Sequence, residues 1–257
     1  MTAVKNLPGR ASVIDPPADL PSFAAFAVSY SSEPPPALEP GEQEVLSDRA
    51  VPTRRESFAR GRAAAHSALR AIGLDHGPIL SGPGREPVWP RGARGAVSHA
   101  AGVGVALVAP MAFTDGVGVD IEEQHRVPDL WEHVPRPEER RWLDDLDETD
   151  REAAILGMFS AKESVFKAFF PRVRSFFGFE QASLTPTPSG FVGRLMHDLD
   201  DDYPRERTFE ITCAWFGDLV LTSVVLPVTP GTAKDPKSNP ATGAAPYSHR
   251  ADWSTEK

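Results

Sequence analysis

The sequence predicts an α+β protein made of two similar halves. Two observations carry that class. Long helical patterns over residues 54–73 and 150–170 are each followed by a run of short strands. Those strands are separated by Gly- and Pro-containing turns at hairpin spacing, which favours small, mostly antiparallel sheets. The order, helix and then strands, occurs twice, and the halves meet near residues 110 to 116. No repeat of short period is present. A chain of 257 residues with 40% hydrophobic content suits one large domain or two small ones.

Each element follows from local chemistry. SFAAFAVSY (22–30) reads as a first strand, after about 20 irregular, Pro-rich residues. SSEPPPALEPGEQ is a proline-broken loop. RRESFARGRAAAHSALRAIG (54–73) has Ala and Leu at helical spacing and Gly73 as its stop. Short strands follow in PIL, EPVWP, GAVSHA and VGVALVAP (103–110), then in GVGVDIE (116–122). Pro137 opens a helix through EERRWL. DREAAILGMFSAKESVFKAFF (150–170) is a long helix that Pro171 is expected to end. FEQASLTPT, GFVGRLM and TFEITCAWFGDLVLTSVVLPV read as strands, the last containing a hairpin at Phe216-Gly217-Asp218. Residues 230–257 are rich in Pro, Ser, Lys and Ala and read as a disordered tail.

Composition narrows the function classes. No apolar run of membrane-spanning length occurs, and MTAVKNLPGRASVIDPPADL lacks a signal-peptide core, so the expected location is the cytoplasm. Cys213 is the single cysteine and reads as a small buried hydrophobe. The net charge of −9 argues against general nucleic-acid binding. From Arg54 to Arg94, however, eight arginines face three acids. From Glu138 to Glu152 the balance reverses, with eight acids and three arginines. A basic island on an acidic chain suits a local anionic ligand such as phosphate, and equally a solvated helix face.

Four stretches could carry chemistry. In GVGVDIEE, strand alternation puts Asp120 and Glu122 on one face and Glu123 on the other. Paired carboxylates of this kind suit Mg²⁺, or they are a solvent-facing strand end. In FSAKESVFKAFF (159–170), Glu163 and Lys167 share a helix face one turn apart. On most helices that pair is surface decoration. Here Phe159, Val165, Phe166, Phe169 and Phe170 surround it, and charges near a core are paired or functional. In GAVSHA, Ser98 and His99 face opposite ways and form no catalytic pair by themselves. Arg54, Arg62 and Arg85 offer guanidinium forks for phosphate, and Gly82 and Gly84 would let backbone amides approach one. His66 reads as core or boundary, and His125 and His133 as loop. No zinc spacing, Walker loop, G-x-G-x-x-G or G-x-S-x-G is present.

Each motif is weak alone; in order they are specific. FARGRAAAHSAL, GREPVWP, GAVSHA, GVGVDIE and FSAKESVFKAFF together resemble the 4′-phosphopantetheinyl transferases of the Sfp/EntD type, over roughly residues 54 to 180. Phe159, Lys162, Glu163 and Lys167 meet the family pattern (W/F)-x-x-K-E-x-x-x-K, with Phe159 where many members have tryptophan. The first helix and the REP-WP turn look most like the EntD-like branch.

The resemblance implies a pseudo-dimer of two α/β halves, each a helix on a small sheet, with the active-site cleft between them. It divides the chain into an irregular segment (1–21), an N-terminal half (22–112), a C-terminal half carrying the metal site (113–229) and a tail (230–257). It implies transfer of the phosphopantetheine group of coenzyme A to a serine of an acyl or peptidyl carrier protein, releasing adenosine 3′,5′-bisphosphate. The expected service is to polyketide, nonribosomal-peptide or siderophore synthesis. Asp120, Glu122 and Glu163 would hold Mg²⁺. Those three and Lys167 would form the catalytic set, with Glu163 taking the serine proton. Arg54, Arg62, Arg85, Glu86, Pro87, Ser98, His99, Lys162 and Lys167 would bind coenzyme A or position the site. A monomer without nucleic-acid or membrane partners is implied. Two alternatives are a Mg²⁺-dependent nuclease and a non-catalytic module that binds coenzyme A or a carrier protein. Nuclease sites of this kind usually place their Glu and Lys on a strand.

Overall fold

The computed structural model describes residues 14–228 except 33, 35, 48, 75–76, 125–129 and 175–176. The expected tail (230–257), most of the irregular N-terminal segment and His125 lie outside the described residues. Ten strands and three α-helices are described. A three-stranded antiparallel sheet has the order β1 (Ala25–Ser29), β5 (Val103–Pro110), β4 (Ala93–Ala100). A five-stranded antiparallel sheet has the order β6 (Thr114–Glu123), β10 (Leu219–Pro227), β9 (Thr208–Phe216), β8 (Gly190–Leu195), β7 (Ala182–Thr187). β2 (Leu80–Ser81) and β3 (Pro87–Val88) form a separate two-stranded hairpin. The protein is therefore α+β, as its sequence predicts.

Strand alternation sorts the core. Val105, Leu107 and Ala109 of β5 share a buried cluster with Val117, Val119 and Ile121 of β6. Ala106 and Val108 of β5 pack with Ala64, Ala65, Ala68 and Leu69 of α1 (Pro52–Ala71). β5 is thus buried on both faces, which accounts for its unbroken apolar run. The alternate positions Gly116, Gly118 and Asp120 of β6 meet α3 (Glu148–Val173). A Cβ at position 118 would fall 1.8 Å from the carbonyl oxygen of Ser164, and one at 116 would fall 2.1 Å from that of Ala168. The helix backbone therefore lies directly on the strand backbone, running antiparallel to it. On the other side of α3, Phe169 packs edge-on against Tyr203 and Phe209.

The long helix differs from expectation at its end. Pro171 lies inside α3, which continues to Val173. The proline forfeits one N–H bond, but buried Phe169 and the ion pairs of Arg172 with Asp115 and Asp202 hold the extra residues in place. The expected hairpin at residues 216–218 is present, with Gly217 at φ 64°. Cys213 is half-buried in β9, and burial pushes its thiol up to about 12, so it is inert. Among the described residues no helix is long and apolar enough to cross a membrane.

Candidate active site

The site forms where β4, β6 and α3 meet. Asp120 is 2% exposed on β6, facing α3. Its Oδ1 accepts a hydrogen bond from Ser98 Oγ of β4 at 2.8 Å and another from Lys167 Nζ of α3 at 2.6 Å. Lys167 Nζ also donates to Ser98 Oγ and to the Val119 carbonyl, each at 3.1 Å. One ammonium therefore ties three elements together. Its partners on β4 and β6 come from different sheets.

Asp120 Oδ2 is buried and has no hydrogen-bond partner. A buried, unpartnered carboxylate oxygen costs free energy unless a donor or cation meets it.

The electrostatics follow from this crowding. Burial and the nearby Asp120 carboxylate push Glu163 up to about 7, with Lys167 acting in the opposite direction. Burial alone would lower Lys167, but Asp120 and Glu163 outweigh it, and Glu122 adds to them, so the ammonium is held above its ordinary range. Lys167 keeps 25% of its side-chain surface exposed, so it is reachable from solvent. His99 lies at the exposed edge of the same group. Desolvation, followed by the charges of Lys167 and Arg54, holds its imidazolium below the ordinary range. The structure thus gathers Ser98, His99, Asp120, Glu122, Glu163 and Lys167, with exposed Arg54 in electrostatic reach.

Other expected residues stand elsewhere. Lys162 is 2% exposed and points into the interface of α3 with α2 (Pro137–Asp144). Its Nζ donates to Glu139 Oε2 at 2.7 Å and to the Val134 carbonyl at 2.8 Å. Glu139 in turn accepts from the Leu184 and Arg136 backbone amides at 2.6 Å each. The Lys162 ammonium is thus engaged by Glu139 and Val134 and holds α3 against α2. Arg62 is 5% exposed, stacks over Phe58 at 4.4 Å and reaches Ser81 Oγ at 3.5 Å, and its Nε has no hydrogen-bond partner. Burial lowers it despite the charge of Glu42. Arg85 is exposed at the tip of the β2–β3 hairpin, beside Glu86 and Pro87. The basic island is not one patch, because buried Arg60 bonds to Glu56 and to the Tyr30 carbonyl instead.

The expected three-carboxylate metal set is not preassembled. Among the described residues no three His, Cys, Asp or Glu side chains stand ready to hold an ion. Three ionised carboxylates without a cation would repel one another; here Lys167 holds Asp120 and a raised Glu163 relieves the charge. The donor set nonetheless fits a hard divalent cation. Its oxygens are all carboxylate, and Asp120 Oδ2 lacks a partner.

The sequence reading missed the polar seam beneath the site. Thr222 Oγ1 of β10 lies 2.9 Å from Ser160 Oγ and 2.8 Å from Ser164 Oγ of α3. The signal was two serines in an apolar helix, four apart and on one face.

Known proteins resemble this chain in sequence. Residues 42–109 match the family signature described as the 4′-phosphopantetheinyl transferase N-terminal domain, and residues 116–218 that of the 4′-phosphopantetheinyl transferase superfamily. The chain belongs to the 4′-phosphopantetheinyl transferase family. It is 34% identical over 232 residues to 4′-phosphopantetheinyl transferase Svp of Streptomyces mobaraensis, covering 84% of this chain and 91% of that one. It is 35% identical to 4′-phosphopantetheinyl transferase PptT of Mycobacterium tuberculosis, covering 70% and 80%. Enterobactin synthase component D of Salmonella typhi is 34% identical, covering 66% and 71%.

Proposed function

We propose that the chain transfers the 4′-phosphopantetheine group of coenzyme A to a serine of acyl or peptidyl carrier proteins. The observation that carries this reading is the Asp120–Lys167–Glu163 cluster, in a member of a transferase family. It holds a proton acceptor poised near neutral pH beside a fixed cation and a partnerless carboxylate oxygen. In the reaction the serine Oγ bonds to the phosphorus bearing the pantetheine arm. The bond from that phosphorus to the bridging oxygen breaks, and adenosine 3′,5′-bisphosphate leaves. Glu163 accepts the serine proton, as a buried carboxylate one helical turn from the Lys167 ammonium. Lys167 offsets charge on the phosphate oxygens, and Ser98 and Asp120 fix its ammonium. His99, Arg54, Arg62 and Arg85 bind the anionic groups of coenzyme A.

Asp120, Glu122 and Glu163 would hold Mg²⁺, which supplies charge stabilisation at the transferring phosphoryl group when bound. The expected halves, 22–112 and 113–229, are read as a pseudo-dimer. In support, each long helix approaches a sheet through glycine, α1 at Gly104 and α3 at Gly118. Family membership disfavours the nuclease alternative. The likeness to an enterobactin synthase component supports service to siderophore synthesis or related assembly lines. A cytoplasmic location is the expectation carried from composition, and a monomer is the one the family resemblance implies.

The test is mass spectrometry of apo carrier proteins incubated with the protein, coenzyme A and Mg²⁺. A mass gain of one phosphopantetheine on the carrier serine is expected. No gain across acyl and peptidyl carriers would favour the non-catalytic binding module.

A further inference from the structure

We propose that Glu86 is a positioning residue, and that its ion pair with Arg174 latches the β2–β3 hairpin to the end of α3 so that Arg85 is held in place for its ligand. The hairpin belongs to neither main sheet and has only two cross-strand residue pairs, Leu80 with Val88 and Ser81 with Pro87. A two-stranded hairpin is marginal by itself, so something outside must hold it.

The structure supplies that hold at the tip. Arg174 Nη1 donates to Glu86 Oε1 at 3.0 Å, linking residues 88 positions apart. The ring of Phe170, one helical turn before Arg174, lies 3.2 Å from where a Cβ at Gly84 would stand. The Glu86 carboxylate lies across the inside of the turn, so a Cβ at Gly82 would fall 2.3 Å from Oε1. Glu86 is 15% exposed and its Oε2 is buried without a hydrogen bond. Arg174 therefore provides its charge partner, although its own side chain is 60% exposed.

The tip carries a strained residue. Arg85 has φ 65°, in the left-handed region, where glycine is the usual occupant. It is kept there by its own N–H to the Gly82 carbonyl at 2.9 Å and by Gly82 N–H to the Glu86 carbonyl at 2.8 Å. Its neighbours Gly82 and Gly84 do not take a positive φ, so the left-handed place falls on the arginine. Arginine in the strained place points to a use for its side chain, and exposure leaves that side chain available. Glu86 does not serve as a ligand to an anion, because a carboxylate there would repel it. It acts through Arg85.

The ligand half of this proposal rests on the coenzyme A reading, and the latch half does not. Amide hydrogen exchange over residues 80–88, without ligand, reads the latch. Arg174→Ala and Glu86→Gln are expected to speed exchange there and leave β5 and α3 unchanged. Calorimetry and steady-state kinetics with coenzyme A read the positioning. Each variant is expected to weaken coenzyme A binding and raise its KM about three- to tenfold, with kcat within twofold. The charge-swapped double variant Glu86→Arg with Arg174→Glu should recover part of the lost protection. In an Arg85→Ala background Glu86→Gln should have no further effect on KM. Unchanged exchange in Arg174→Ala overturns the latch. Faster exchange with unchanged affinity, or a full effect of Glu86→Gln without Arg85, overturns the positioning role. Failure of the unaltered protein to bind coenzyme A overturns the functional reading, while exchange still decides the latch.

Discussion

Lys167 Nζ lies 2.6 Å from one oxygen of Asp120, while the other oxygen of the same buried carboxylate has no hydrogen-bond partner. This half-satisfied group separates a binding role from a structural one. Asp120→Asn is expected to reduce turnover at least a hundredfold, on the order of 3 kcal/mol of transition-state stabilisation. It should also lower the pKa of Glu163, because the neighbouring negative charge is gone. Carrier modification rates and a pH titration of Glu163 by NMR check the two effects. A near-normal rate would remove Asp120 from the site.

Glu163 should make the protein's stability fall with pH. Its folded value of about 7 lies above its ordinary value of 4.5, so the folded state binds the extra proton between those two values. Stability contributed by the protonated form is full below about 4.5 and is lost as pH rises through about 7. Glu163→Gln should therefore be more stable than the parent at pH 8, by on the order of 2 kcal/mol given partial exposure, and equal to it near pH 4. Thermal melts across that range measure this. The same variant should lose most turnover while keeping coenzyme A binding visible by calorimetry.

Mg²⁺ binding at this cluster should release protons. A carboxylate near 7 must ionise fully to ligate, so calorimetry at pH 6 in buffers of different ionisation enthalpy should show proton release, which shrinks by pH 8.5. Removing divalent ions with a chelator should abolish carrier modification, and Mg²⁺ should restore it. Heat of binding independent of the buffer would take Glu163 out of the ligand set.

The pair of Lys162 and Glu139 should govern stability instead of substrate affinity. Both side chains are 1% exposed, and removing one partner strands a buried charge. Lys162→Met or Glu139→Gln is expected to cost about 3–5 kcal/mol, and the apolar double replacement considerably less. Denaturant melts of the cycle measure this, and KM for coenzyme A should stay within about threefold of its original value.

Arg62→Ala should raise the KM for coenzyme A by about tenfold, the value of one lost charged hydrogen bond. It should also lower the melting temperature, because the guanidinium stacks on Phe58 inside the protein. An unchanged KM would leave Arg62 a packing residue.

The sequence made some of this legible and hid the rest for physical reasons. Asp120, Glu122, Glu163 and Lys167 could be found because strand alternation and helical spacing fix the face each residue takes, and β6 and α3 keep those periods. Whom a long side chain meets is a tertiary matter. Lys162 and Lys167 look equivalent in FSAKESVFKAFF, yet they lie on different helix faces, one toward Glu139 and one toward Asp120. The Glu163–Lys167 spacing suggested a mutual pair, but the lysine's hydrogen bonds go to Asp120, Ser98 and Val119. The latch to Arg174 had no local signal, since its partner lies 88 residues away.

The main-chain contact between α3 and β6 at Gly116 and Gly118 also bears on how this protein can vary. Where two elements are separated by a layer of side chains, each substitution in that layer changes their spacing. Here no such layer exists under the site, and the gap is set by carbonyl oxygens resting on glycine Cα atoms. Substitutions around Phe169 or Ile121 can thus accumulate, at a cost in stability, without altering how far Asp120 stands from Lys167 and Glu163. The hydrophobic interior around α3 is free to drift while the geometry of the reacting groups stays fixed.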